Sequence, residues 1–315
     1  PFSELRLLAS KRSAGKEIAF MGKTYTVEEA TFDSFKGIDI ALFAGGSISK
    51  DFAPHAVKAG AVVIDNSSAF RMDPEVPLVV PEVNPQAILK HKGIIANPNC
   101  STIIMVMALK PIYDLAKIKR VIVSTYQAVS GAGKEGIDEL DAQVRDHSEG
   151  REMTANILPS ASAEKHYPIA FNLIPQIDVF CDNLYTKEEM KMVNETKKIM
   201  EDYEMRITAT TIRVPVYRSH SESVNIELEK EVDLGAMREA LAKFPGVTVQ
   251  DDPSKQEYPM PLYTSEKDDV YVGRLRRDES CEKSYNIWVV GDQIRKGAAL
   301  NTLQIAETMI KNGWI

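Results

Sequence analysis

A cysteine stands in the run Asn97-Pro98-Asn99-Cys100-Ser101-Thr102, after the apolar stretch 93–96 and before the helix-like apolar run 103–109. That pattern places the thiol in the first turn of a helix. Unpaired backbone N–H groups and the positive end of the helix dipole favour a thiolate there. Cys100 is therefore a candidate nucleophile. The competing reading is a buried structural thiol, because free cysteine is among the most buried residue types. Cys181 and Cys281 lack this setting.

Other residues could serve such a nucleophile. Residues 124–133, Ser-Thr-Tyr-Gln-Ala-Val-Ser-Gly-Ala-Gly, read as a strand running into a small glycine-rich turn before a helix. Gln127 could hold an oxygen of a bound acyl group, and the turn could receive part of a cofactor or be only a tight connection. His220 lies in a polar stretch, 217–223, read as a turn between two strands. A histidine there can shuttle a proton near neutral pH or be incidental. Glu188 and Lys191, three apart on a helical pattern, share a face. Their ordinary reading is a surface ion pair.

The elements that must position these residues alternate. Residues 5–9, 38–44, 61–65, 77–80 and 93–96 read as strands, with helices expected over 50–59 and 85–91. Strands joined by helical crossovers imply a doubly wound, mostly parallel α/β sheet. After residue 118 the apolar runs 121–126, 206–211 and 224–228 alternate with polar residues, as in a sheet with one covered face. Helices are expected over 134–147 and 187–202. With the strand 285–290, these make a second, α+β domain. A closing helix, 293–311, is expected to return to the first domain. The boundaries are then 1–99 with 294–315 for a Rossmann-like cofactor domain, and 100–293 for a catalytic and dimerisation domain.

A Rossmann-like sheet carries a glycine-rich turn after its first strand. Gly45-Gly46-Ser47 is a lone glycine turn and a weak signal. If 5–9 is the second strand of such a sheet, its end should carry an acid for the ribose of NAD. It carries Ser10-Lys11-Arg12-Ser13 instead, which suits the 2′-phosphate of NADP or is only an exposed basic turn. On that reading the first strand, glycine loop and first helix lie upstream of Pro1. A polypeptide truly starting at Pro1 is then expected to be inactive and poorly soluble.

Composition narrows the partners. The 315 residues suit two domains. A net charge of −7 argues against nucleic acid. No run is apolar and long enough to span a membrane, and no metal-ligand spacing occurs. Three widely spaced cysteines suggest no disulfide framework and make a reducing cytoplasm the simplest setting.

Taken together, 97–102, 124–133, 166–172, 185–191, 213–223 and 296–299 resemble the bacterial type of aspartate-β-semialdehyde dehydrogenase in order and spacing. The resemblance implies Cys100 as nucleophile, His220 as general acid/base and Gln127 beside the cysteine. It implies Arg213 on the substrate α-carboxylate, Glu188 on its ammonium, and Arg71, Asn99 and Lys191 around inorganic phosphate. It places NADP along Ser10, Arg12, Ser13, Gly45, Ser130, Gly131 and Gln293, and implies a homodimer or homotetramer. The implied reaction is reversible: L-aspartyl 4-phosphate and NADPH give L-aspartate 4-semialdehyde through a Cys100 thioester, in the pathway to lysine, threonine and methionine. The alternatives are a sister reductase acting on another acyl phosphate such as N-acetylglutamyl phosphate, a cysteine hydrolase, or a truncated inactive remnant.

Overall fold

The computed structural model describes residues 2–315. Its first strands are short because the apolar runs are short. β1 (Leu7–Ala9) pairs in parallel with β3 (Lys23–Glu29), which pairs antiparallel with β2 (Glu17–Phe20). The β2–β3 turn is Met21-Gly22, both with positive φ, the backbone a two-residue hairpin needs. Sequence reading missed this hairpin because its strands are largely exposed and carry little apolar signal.

A second unit follows. β4 (Ile40–Phe43), α1 (Ser49–Lys58), β5 (Val62–Asp65) and β6 (Ile94–Ala96) make a parallel sheet in the order β4-β5-β6. The expected single doubly wound sheet is thus two three-stranded sheets. β1 and β4 each have a hydrogen-bonded strand on one side only among the described residues. The expected strand 77–80 is only an isolated bridge, Leu78 to Ala96. Pro77 and Pro81 flank it and cannot donate to a ladder. The expected helix 85–91 is a short 3-10 helix, Pro85–Lys90.

From β6 the chain enters α2 (Cys100–Leu115), in which every residue from Ser101 to Leu109 is buried. A helix apolar all round belongs between layers, and α2 lies against a six-stranded sheet. That sheet comprises β7 (Ile118–Gln127), β8 (Arg206–Arg213), β9 (His220–Leu228), β10 (Val247–Val249), β11 (Val270–Arg277) and β12 (Ser284–Gly291). Its order is β10-β11-β12-β9-β7-β8. Val121, Val123, Val224, Ile226, Ile287 and Val289 share one buried cluster with Ile103, Ile104 and Met107 of α2. Helices α3 (Lys134–Ser148), α4 (Lys187–Ile199), α5 (Leu234–Lys243) and the single turn α6 (Pro261–Thr264) complete this part. The closing helix expected over 293–311 is a π-helical turn, Arg295–Ala299, leading into α7 (Leu300–Lys311). Ile305 and Met309 of α7 pack with Ile64, Val79 and Ile95 of the second parallel unit. No described helix is long and apolar enough to cross a membrane.

Candidate active site

One end of the large sheet gathers three of the residues. Gln127 ends β7 and Arg213 ends the parallel β8, and the register pairs them directly. His220 opens β9, which runs the opposite way beside β7, so it emerges at the same end. Cys100 opens α2 above them. Asn99 caps that helix, its Oδ1 accepting the N–H groups of Ser101 (3.1 Å) and Thr102 (3.2 Å).

His220 is not in a polar turn, as its sequence neighbours suggested, but fully buried at the strand's first position. The preceding Ser219 takes a positive φ of 75°. Its N–H donates to Gln293 Oε1 (2.9 Å), and its hydroxyl bonds Thr264 Oγ1 (2.7 Å). His220 Nδ1 accepts the Ala128 N–H at 3.1 Å, so the neutral ring carries its proton on Nε2. That nitrogen stands 3.6 Å from Cys100 Sγ. Burial, then the Arg213 charge, hold His220 well below its usual range. Burial and then the Glu188 carboxylate push the Cys100 thiol up to about 12, against the opposing pull of Arg71 and Ser101. Burial thus opposes the helix-start effect at Cys100, because both groups lose the water that would stabilise their charged forms.

The surface-pair reading of Glu188 and Lys191 also gives way. Glu188 is 5% exposed, and its Oε1 accepts from Asn99 Nδ2 (2.9 Å) and Gln127 Nε2 (3.3 Å). Its Oε2 meets Lys191 Nζ at 3.2 Å, and Lys191 also pairs with Asp178 at 3.0 Å. A Glu188→Gln change removes the charge that raises the thiol. It is expected to speed Cys100 alkylation by iodoacetamide at pH 8 by about fivefold, measured by mass spectrometry of the labelled peptide. An unchanged rate would mean that burial alone sets the thiol.

Arg213 is 3% exposed, yet no carboxylate pairs with it among the described residues. Its Nη1 donates to the Ala128 carbonyl at 2.7 Å, and its Nε has no partner. Burial pulls the guanidinium down, with Glu188 and Cys100 opposing. Gly131 makes room for it: a Cβ there would sit 2.7 Å from Arg213 Nη1 and 3.2 Å from His220 Cε1. The glycine-rich turn is thus a wall of this pocket. Ser130 in the same turn accepts a hydrogen bond from Gln293 Nε2.

Arg71 lies in a buried cage. Its Nε donates to the Asn97 carbonyl (2.9 Å), its Nη2 to the Asn66 carbonyl (2.8 Å), and its Nη1 pairs with Glu195 (3.2 Å). Glu195 also accepts the Asn99 N–H at 2.6 Å. Sequence reading missed Glu195 and Asp178. Glu195 had a usable signal, since Glu188, Lys191 and Glu195 at i, i+3 and i+7 share one face of α4. Asp178 had none, lying in an irregular stretch. Ser10, Arg12, Ser13 and Gly45 stand outside this network. Ser10–Ser13 form a turn after β1, with the Ser13 N–H on the Ser10 carbonyl (2.8 Å), and Arg12 is exposed and unpaired among the described residues. Gly45 follows β4, where a Cβ would sit 2.6 Å from Ile48 Cγ2.

Residues 1–91 match the semialdehyde dehydrogenase NAD-binding domain, and residues 109–296 match the semialdehyde dehydrogenase dimerisation domain. The chain is 57% identical to an aspartate-semialdehyde dehydrogenase of Aquifex aeolicus, over all of this chain and 92% of that one. It is 54% identical to that of Bacillus subtilis, over 98% of this chain and 89% of that one. The crystal structure of aspartate-semialdehyde dehydrogenase II of Vibrio cholerae complexed with ASA superposes with a TM-score of 0.93 at 47% identity, covering 99% of this chain and 91% of that one.

Proposed function

The chain belongs to the aspartate-semialdehyde dehydrogenase family, and from that premise we propose that its catalytic route is a reversible, NADP-dependent conversion of L-aspartyl 4-phosphate through a thioester on Cys100. The family's activity, in the aspartate pathway, is the activity of this chain, with an NAD(P)-binding domain followed by a dimerisation domain.

The observation that carries the assignment is Arg213. Removing the partner of a buried ion typically costs about 3–5 kcal/mol. A guanidinium at 3% exposure with an unpaired Nε, beside the Cys100–His220 pair, is therefore a site waiting for an anion. Its planar fork suits the substrate α-carboxylate. Glu188 takes the substrate ammonium. That contact offsets the charge that raises the Cys100 thiol, so amino-acid binding itself favours the thiolate.

In the biosynthetic direction Cys100 Sγ attacks the acyl carbon, the bond from that carbon to the phosphate oxygen breaks, and the thiol proton departs with the leaving group as hydrogenphosphate, into the pocket of Arg71, Asn99 and Lys191. Gln127, whose Nε2 donates to Glu188 Oε1 and Thr125 Oγ1, steadies the acyl group by exchanging one of these bonds. His220, with its proton on Nε2, donates to the oxygen of the tetrahedral adduct and takes that proton back as the aldehyde is released. NADP, when bound, supplies or accepts the hydride. The residues after β1 fit its 2′-phosphate, because Arg12 is exposed and unpaired among the described residues and no acid stands in Ser10–Ser13. Gly45, Ser130, Gly131 and Gln293 lie on its proposed path to the thioester.

Residues 1–99 with 294–315 are assigned to the cofactor domain, supported by the packing of α7. Residues 100–293 are assigned to catalysis and pairing of copies. Exposed Phe171, Leu173, Phe180 and Leu184 favour a homodimer or homotetramer. A cytoplasmic setting is consistent with three free cysteines. The sister reductase reading loses ground to Glu188, which an acylated substrate without an ammonium could not use. The hydrolase reading loses ground because His220 Nδ1 faces a backbone N–H, not an orienting side-chain acceptor.

Arg213→Lys keeps the charge and loses the fork. It is expected to raise KM for aspartate semialdehyde by about tenfold or more while leaving KM for phosphate within about twofold. Steady-state kinetics in the aldehyde-oxidising direction reads both constants. A rise in KM for phosphate instead would mean that the two anion sites are interchanged.

A further inference from the structure

Glu195 joins two parts of the site that the chemistry treats separately. Its Oε1 meets Arg71 Nη1 at 3.2 Å, and its Oε2 accepts the backbone N–H of Asn99 at 2.6 Å. It is 1% exposed. Asn99 caps the nucleophile helix with Oδ1 and reaches Glu188 with Nδ2. Glu195 thus lies between the guanidinium assigned to phosphate and the residue that sets the start of α2.

We infer that Glu195 is a positioning residue that fixes the Asn99 N–H and, by its charge, weakens the hold of Arg71 on phosphate so that phosphate can leave. This rests on the phosphate assignment of Arg71. A buried arginine with no counter-charge would bind a dianion tightly, and in the biosynthetic direction phosphate is a product. A carboxylate paired with Arg71 competes with that product for the same guanidinium. Arg71 does not depend on Glu195 for its place. Its Nε and Nη2 remain on the Asn97 and Asn66 carbonyls, and its own carbonyl accepts from Lys198 Nζ at 2.7 Å.

Glu195→Gln keeps the shape and one acceptor oxygen for the Asn99 N–H but removes the charge facing Arg71. The enzyme carrying it is expected to show KM for inorganic phosphate lowered by about fivefold, with KM for the aldehyde within about twofold. Phosphate inhibition of the biosynthetic direction is expected to strengthen in parallel. Calorimetric titration with inorganic phosphate reads the same change without turnover. Glu195→Asp, which keeps the charge, is expected to stay close to the parent. An unchanged or raised KM for phosphate in Glu195→Gln, or equal behaviour of Gln and Asp, overturns the inference. Should Glu195→Gln not fold, Glu195→Ser leaves room for a water on the Asn99 N–H and gives the same test. Arg71→Lys separates the two readings: if it leaves phosphate binding unchanged, the assignment of Arg71 fails. If it weakens phosphate binding while Glu195→Gln does nothing, only the role of Glu195 fails.

Discussion

Cys100→Ser is expected to lower kcat/KM by about a thousandfold or more. The substitution is nearly isosteric and leaves the helix cap intact, since Asn99 supplies the side-chain cap bonds. A serine hydroxyl would sit beside His220 Nε2 as the thiol does. What it lacks is an accessible anion. Burial and Glu188 already push the thiol up to about 12, and an alcohol in the same place ionises far less readily. His220 cannot rescue it, because its Nε2 carries a proton while Nδ1 is held by the Ala128 N–H. Binding should persist, since Arg213, Glu188 and Gln127 are untouched. Turnover assays and substrate titration on the same preparation check both halves. Retained turnover would remove Cys100 from the mechanism, whereas lost binding would mean that the serine disturbs the pocket itself.

His220→Asn is the second large effect, with kcat expected to fall by about a hundredfold or more and both KM values changing little. Asparagine can occupy the position but cannot cycle a proton. The same residue leaves a signature in stability. Burial, then Arg213, holds folded His220 well below its ordinary value of 6.5, whereas the unfolded chain binds a proton near that value. Below pH 6.5 the unfolded state therefore binds more protons than the folded state. Stability is flat with pH above that point and falls as pH drops beneath it, until the folded group itself titrates. The contribution approaches about 1.4 kcal/mol per pH unit. His220→Asn should thus flatten the fall in melting temperature between pH 7 and pH 5 relative to the parent, and other titrating groups cancel in that comparison. Equal slopes would mean that His220 is not buried neutral.

The position of Cys100 was legible in the chain because a strand end and an apolar helix are both local patterns. The apolar run 103–109 announces α2, and α2 begins at the cysteine. That the strands 38–44, 61–65 and 93–96 pair in parallel followed from the helical crossovers read between strands, and the closing helix does pack on them. Strands with weak apolar signal were not legible. The β2–β3 hairpin is mostly exposed, and the prolines around 77–80 turned an apolar run into a single bridge.

By itself, then, the sequence determined the chemical inventory: a thiol at a helix start, a histidine, a glutamine, an arginine and a glutamate in an order that resembles one family. Tertiary structure decided their ionisation and their partners. Whether Cys100 rests as thiol or thiolate depends on burial and on Glu188, 88 positions further along the chain. Whether Glu188 is a surface charge or a buried acceptor depends on Asn99 and Gln127 reaching it from other elements. That Arg213 lacks a carboxylate while Arg71 has Glu195 cannot be read from spacing, because each pairing is made across the fold. Local pattern sets which groups are present and where helices and strands begin. Desolvation and long-range pairing set their charges, and those exist only once the chain is packed.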